Sequence, residues 1–368
     1  MRRSASLLWE FWCLAGWVVL YPALANAAPA ATARPGQVAF IADPGTDLPL
    51  ASAAMRNPAC HFKAFVIPCL ADGVLHVALE SDVFPRAQRS VGKAALGGFI
   101  RDAHSKGVLV YGYVDCLRWA SVQTAGDPAS PANRFPALVE RDDNGDSRVL
   151  GDGVYASPFS SGVSSALCRL ARSIRAGFPE MDGVVLRCEL PASVVLGYAE
   201  PTRAAYIAAE GRDPLDISLA SDMADAREWA AWRLSQVAGL VARVASDFRG
   251  LGTSRRVLAV GSAAWPHQRV GERNATLGDW PAWVGSGAVD GVLLDVDPGD
   301  ADSVRTFVGA VRQARARRGA TLMALLPDTV TKDGPAGAAS AVADLPGGAD
   351  GYVVRVGHDY LVAATGGR

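Results

Sequence analysis

Eight short apolar runs, each followed by a segment of helical or loop character, constrain the fold of this 368-residue chain more than any other feature. They are Val38–Ala42, Ala64–Ile67, Val108–Val114, Gly183–Cys188, Val257–Val260, Gly291–Val296, Thr321–Leu326 and Gly351–Val356. Their hydrophobicity is nearly continuous rather than alternating, which is what a strand covered on both faces requires, and such strands belong to parallel sheets. The clearest helix lies over residues 221–248. There Met223, Ala226, Ala230, Leu234, Val237, Leu240, Val241 and Val244 make one stripe, with Ser221 or Asp222 as N-cap and Gly250 as the stop. Strand alternating with helix eight times predicts an α/β chain folded as a (β/α)8 TIM barrel. A doubly wound open sheet competes, but Asp43-Pro-Gly-Thr-Asp47 is not the glycine-rich phosphate loop that usually follows its first strand. Only eleven residues follow Gly357, so the last unit is expected to be truncated.

Half of the residues are hydrophobic and a fifth are charged, enough for a large core and too apolar for a disordered chain. A formal net charge of -1 without a basic run argues against nucleic-acid binding. Arg2-Arg3, the apolar stretch Leu7–Leu20 and Ala25-Asn26-Ala27 read as a secretory signal peptide cleaved near Ala27. The rival reading is an uncleaved anchor, for which the apolar core is shorter than the ~20 residues of a spanning helix. The organisation expected is therefore a signal over 1–27, a linker over 28–36 and one barrel over 37–368, secreted or periplasmic, with no membrane insertion after cleavage. Cys60, Cys69, Cys116, Cys168 and Cys188 remain, an odd number with no CxxC pair and no histidine at ligand spacing. Neither a metal nor another cofactor is expected. Most of these cysteines read as buried hydrophobes, and a Cys60–Cys69 disulfide stays open. Oligomeric state is not legible.

Two loops are long, one from Leu117 to about Ser160 and one from Leu190 to Leu219, and both follow strands on the side where barrels build their sites. In the first, Asn144-Gly145 signals a hairpin turn. Its acidic neighbours do not make a calcium loop, because Gly151 stands where the bidentate Glu belongs.

Position along each strand separates structural from chemical acids. Asp182, Asp290 and Asp350 each precede a Gly at a strand start and read as structural. Strand ends carry Asp43, Tyr113 with Asp115, Arg187 with Glu189, Asp295 with Asp297, Asp328 and Arg355, with His358 beyond. Period-two alternation puts Tyr111, Tyr113 and Asp115 on one face, as it does Val185, Arg187 and Glu189, and Leu293, Asp295 and Asp297. The outer face must meet apolar helices, so these sets point into the barrel. Several acids converging on one mouth suit glycoside hydrolysis, which needs one acid on the leaving oxygen and one carboxylate as nucleophile or base. The catalytic candidates are Glu189, Asp295, Asp297 and Asp115, and the substrate is a polysaccharide or oligosaccharide. Arg187, Tyr113, Trp119, Trp265, His267 and Arg355 are candidates for substrate contact, the two tryptophans by stacking on sugar faces. Against this, Arg187 pairing with Glu189 or Asp295 would make a polar plug without chemistry, and Trp119 and Trp265 would then be loop packing. Trp229, Trp232, Trp280 and Trp283 read as structural, and the five histidines form no ligand set.

Three segments carry a family resemblance. Ala103-His104-Ser105-Lys106-Gly107-Val108 runs into the third strand, Met181-Asp182-Gly183-Val184-Val185-Leu186 enters the fourth, and Asp279-Trp280-x-x-Trp283 precedes Gly287-Ala288-Val289-Asp290-Gly291-Val292. In order and spacing the chain resembles the glycosyl hydrolase-like 10 family of secreted bacterial barrels over roughly residues 60 to 300. The resemblance implies a barrel acting on a polysaccharide or cell-wall glycan. It departs at Arg187, where the family usually has an acid. Strand four is also similar to the chitinase Asp-Gly-x-Asp-x-Asp-x-Glu pattern, keeping Asp182, Gly183 and Glu189 but replacing two acids with Val185 and Arg187. That likeness implies Glu189 as the acid, with Asp115, Asp295 or Asp297 as its partner, or else a sugar-binding mouth without hydrolysis. Arg187 nearby is expected to lower the Glu189 pKa, which favours a nucleophile over an acid.

Overall fold

The computed structural model describes residues 36–365 apart from 58–59, 150–151, 192, 218–222, 251–254, 264–275, 297–299, 319–320, 326–349 and 357. All eight apolar runs become strands: β1 Gly36–Ile41, β2 Phe62–Ala71, β3 Leu109–Asp115, β4 Gly183–Arg187, β5 Arg256–Ser262, β6 Gly291–Asp295, β7 Thr321–Leu325 and β8 Gly351–Val356. Each lies parallel to the next, and β1 pairs with both β8 and β2, so the sheet closes on itself. This is a (β/α)8 barrel.

Alternation along the strands divides the core into two layers. Val38, Ala64, Val66, Tyr111, Tyr113, Val185, Leu258, Val260, Leu293 and Val353 fill the interior. Ile41, Phe65, Val110, Val184, Leu186, Val257, Leu294 and Val354 belong to the outer layer, under the helices. Burial at about 1.5–3 kcal/mol per large side chain fixes this phase, because a one-residue slip would exchange the layers.

The first helix, Pro44–Ala54, starts with Pro44 in its first turn and is capped by Asp43, which accepts a bond from the Gly45 N–H at 3.0 Å. The strand-end acid Asp43 thus serves as a cap. The stripe read over 221–248 forms the helix Met223–Arg249, and its expected caps Ser221 and Asp222 lie outside the described residues. Gly250 stops it with φ 63° and an N–H bonded to the Ser246 carbonyl at 2.9 Å. The last unit is short, as expected. Helix His358–Ala364 packs on Pro44–Ala54, its Tyr360 hydroxyl meets Gln37, and Asn57 donates to the Ala364 carbonyl at 2.6 Å.

Insertions on the C-terminal side of the strands shape the mouth. After β2 the chain reverses at Asp72-Gly73, both with positive φ (50° and 72°), into the strand Val74–Val77. After β3 a small antiparallel sheet joins Arg118–Ser121, Gly153–Tyr155 and Arg148–Val149. The Asn144-Gly145 turn forms within it, with Gly145 donating to Asp142 at 3.1 Å, although the strand pairing lies downstream at Arg148–Val149. The Cys60–Cys69 disulfide is excluded: Cys60 precedes β2 and Cys69 lies near its end, roughly 20 Å or more away along an extended chain.

Candidate active site

The two ends of the barrel treat carboxylates differently. At the strand starts, Asp182 accepts the Val110 N–H at 2.7 Å and contacts His104 Nε2 at 2.9 Å. Asp290 accepts the Val257 N–H at 2.8 Å and pairs with Arg249 at 2.8 Å. Each ties the start of its own strand to a neighbouring strand, the structural role read from the Asp-Gly pairs.

At the opposite end, β3 and β4 deliver Tyr113, Asp115, Arg187 and Glu189 to the inner side. Asp115 lies opposite Arg187 in the ladder. Phe40 packs edge-on against the Tyr113 ring, with centroids 4.9 Å apart, and Tyr113 hydrogen-bonds Arg187. Burial alone would lower the Arg187 pKa, but Tyr113, Asp115 and Glu189 hold it above the ordinary value. Asp115 is 2% exposed, and burial raises its carboxyl pKa despite the opposing charges of Arg187 and Arg118. Arg118 reaches Asp72 at 2.7 Å, Asp152 at 3.5 Å and Asp115 at 3.7 Å. Asp152 also accepts from the Tyr155 hydroxyl at 2.7 Å.

Glu189 sits just past the end of β4, where its Oε1 accepts the Ser262 N–H of β5 at 3.1 Å. Gly278 makes room for it: a Cβ there would stand 2.4 Å from the same oxygen. Burial and then the charge of Asp295 raise its pKa to about 8, against the pull of Arg187 and the Ser262 N–H. Arg187 does pull this carboxyl down, as expected, but the net shift is upward, so the preference for a nucleophile drawn from Arg187 alone does not hold. The guanidinium is engaged by Tyr113 and Asp115 as well, and desolvation outweighs it. Asp295 ends β6, opposite Ser262, and is exposed. One carboxyl held protonated at neutral pH beside an exposed second carboxylate can give and take a proton.

The structure thus brings Glu189, Asp295, Asp115, Arg187 and Tyr113 into one neighbourhood. Trp119 does not belong to a sugar-stacking surface. It is wholly buried, with its ring edge-on to Phe84 at 5.7 Å, so neither face is open to a ligand. Asp297, Trp265 and His267 lie outside the described residues, as does Asp328. Arg355 is placed in β8 by its backbone alone. Trp229, Trp280 and Trp283 are buried as expected, and the Trp280 indole donates to the Ser262 carbonyl at 3.0 Å. Sequence reasoning missed Arg118, Asp72, Asp152 and Tyr155. Asp72-Gly73 between apolar runs was a legible hairpin signal, whereas the convergence of the other three depends on the small sheet after β3. Among the described residues no group of three or more His, Cys, Asp or Glu side chains is arranged to hold a metal ion.

No protein-family model matches the chain, and no curated protein does. Solved structures do. A β-galactosidase from the psychrophilic Marinomonas ef1 superposes with a TM-score of 0.56 at 12% identity, over 86% of this chain and 53% of that one. A β-galactosidase from Bacillus circulans sp. alkalophilus gives 0.55 at 12% identity, over 87% and 50%. The likeness is one of fold. The chain spans about half the length of these enzymes.

Proposed function

We propose that the chain is a glycoside hydrolase-like barrel in which Glu189 is the general acid and Asp295 the second carboxylate. The observation that carries this reading is the Glu189 carboxyl, lifted to about 8 by burial and by the charge of Asp295, at the C-terminal mouth of the barrel. At neutral pH Glu189 carries the proton that a glycosidic oxygen needs on leaving, and Asp295 is the carboxylate that would act on a water or a sugar carbon. Arg187 anchors the floor of the mouth through Tyr113 and Asp115, which keeps its charge from dominating Glu189. The resemblance to the glycosyl hydrolase-like 10 family supports a polysaccharide or cell-wall glycan as substrate, and with the signal over residues 1–27 it supports work outside the cytoplasm.

A second reading has its own observation. Arg187 stands where that family usually has an acid, and its bond to Tyr113 together with the charge of Asp115 suits a closed polar plug. In that reading the mouth binds glycans without cleaving them. Reducing-sugar release from plant, microbial and peptidoglycan-type polymers, with Glu189→Gln in parallel, separates the two. Release by the parent and none by the variant supports the hydrolase. Equal release by both removes Glu189 from the mechanism. Binding without release by either leaves the second reading.

A further inference from the structure

Cys116 and Cys188 follow Asp115 and Arg187, which are register partners on β3 and β4, and the Cys116 N–H donates to the Arg187 carbonyl at 2.9 Å. The two cysteines therefore face each other across adjacent parallel strands, both on the outer side, since their neighbours Asp115 and Arg187 take the inner one. Neither is exposed at all, and their side chains are in hydrogen-bonding contact. Neighbouring strands lie about 4.8 Å apart, within the roughly 4.4–6.8 Å between Cα atoms that a disulfide spans.

We propose that Cys116 and Cys188 are a disulfide site, closing a cross-strand staple between β3 and β4 when the chain folds under oxidising conditions. Of the other thiols among the described residues, only Cys168 lies near Cys116, and it is engaged by other partners. Cys60 donates to the Ala364 carbonyl at 3.5 Å, Cys69 lies beside Met181 under Gly112, and Cys168 is hydrogen-bonded to Asp247 and Ser164. Beyond Cys13, the odd count of five is thereby resolved into one pair and three thiols. The chemistry balances by exchange with a small disulfide such as oxidised glutathione. One cysteine thiolate attacks it and expels a thiolate. The second then attacks the mixed disulfide and expels the other, so two protons and two electrons leave the cysteines and the small disulfide, the oxidant, ends as two thiols. Because both sulfurs are buried, the bond forms during folding rather than on the finished barrel. Its place matters for the mouth. Cys116 adjoins Asp115, and Cys188 sits between Arg187 and Glu189, so the staple holds the strand ends that present these groups. The proposal is independent of the glycan reading.

The test is to refold the full chain from denaturant in a glutathione redox buffer, block free thiols by alkylation and map peptides by mass spectrometry with and without reductant. The expected result is a Cys116–Cys188 linked peptide with Cys13, Cys60, Cys69 and Cys168 alkylated, and a fall in Tm of several degrees on reduction that is absent in Cys188→Ala. Alkylation of all six thiols after oxidative refolding, or a link from Cys116 or Cys188 to Cys13, Cys60, Cys69 or Cys168, would overturn it. The parent's peptide map decides even where the variant does not fold.

Discussion

The starts and the ends of the barrel strands use the same side-chain chemistry to opposite effect. Asp182 and Asp290 at the starts are met by backbone N–H groups at 2.7 and 2.8 Å and by a histidine or arginine, so their charge is matched by bonds that also fix strand register. Glu189 and Asp115 at the ends also accept a backbone N–H, from Ser262 and Arg118, but desolvation outweighs it and both are pushed above the ordinary carboxyl range. A carboxylate that ties its own strand start to the neighbouring strand is structural. One desolvated beside another acid stores a proton at neutral pH, and that is a property chemistry uses.

The sharpest break in this comparison is Glu189→Gln, expected to lower kcat on a cleaved glycan by about 10²- to 10⁴-fold, the usual worth of a positioned acid. In the parent, kcat/KM should fall as pH rises through about 8, where Glu189 loses its proton. The variant's residual rate should lack that limb. A retained limb would assign it to another group. At the other end, Asp182→Ala leaves the buried Val110 N–H without an acceptor and should cost about 1–3 kcal/mol of stability by denaturant titration. The alkaline limb of the folded fraction should stay in place. A shifted limb would show that the two ends are electrostatically coupled.

Strand number, strand order and the inward phase of Tyr113, Asp115, Arg187 and Glu189 were all legible, because burial on both faces imposes continuous hydrophobicity and the period of two does the rest. The role of Asp182 and Asp290 was legible too, since Asp-Gly at a strand start has a local cause. The sign of the Glu189 shift was not. It depends on whether the charge of Arg187 outweighs desolvation, a balance set by how deep the mouth is. Trp119 misled for a related reason: a tryptophan just past a strand reads as mouth-facing, but the Asp72-Gly73 hairpin folds over it, with Gly73 so close that a Cβ would meet the Trp119 carbonyl at 2.2 Å. Gly278 gave no signal at all, because its importance lies in the Glu189 oxygen it leaves room for.

That glycine gives a smaller and more selective probe. In Gly278→Ala the new Cβ would press on Glu189 Oε1 and move the carboxyl off the Ser262 N–H. The displaced group is the tip of a flexible side chain, so stability should change by less than about 1 kcal/mol. Misplacing the acid should cost about tenfold or more in kcat. Loss of the N–H bond removes a contact that favours the ionised carboxylate, so the alkaline limb should move upward while the rate falls. An unchanged limb would mean that Ser262 does not hold this oxygen in solution.

The smallest effect is read from stability alone and needs no substrate. Glu189 binds its proton more tightly folded, with a pKa of about 8 against an ordinary 4.5, so the folded state holds the extra proton between those values. Stability contributed by this group is thus fully present below about pH 4.5 and declines as pH rises towards 8. Glu189→Gln removes that slope. The variant should match the parent at acid pH and exceed it above pH 8 by on the order of 2 kcal/mol, well below the full linkage value because the carboxyl keeps some contact with water. Asp115, raised in the same direction, leaves a residual slope of the same sign in the variant. Parallel pH–stability curves for parent and variant would mean that Glu189 titrates as an ordinary carboxyl, and the general-acid assignment would fall with it.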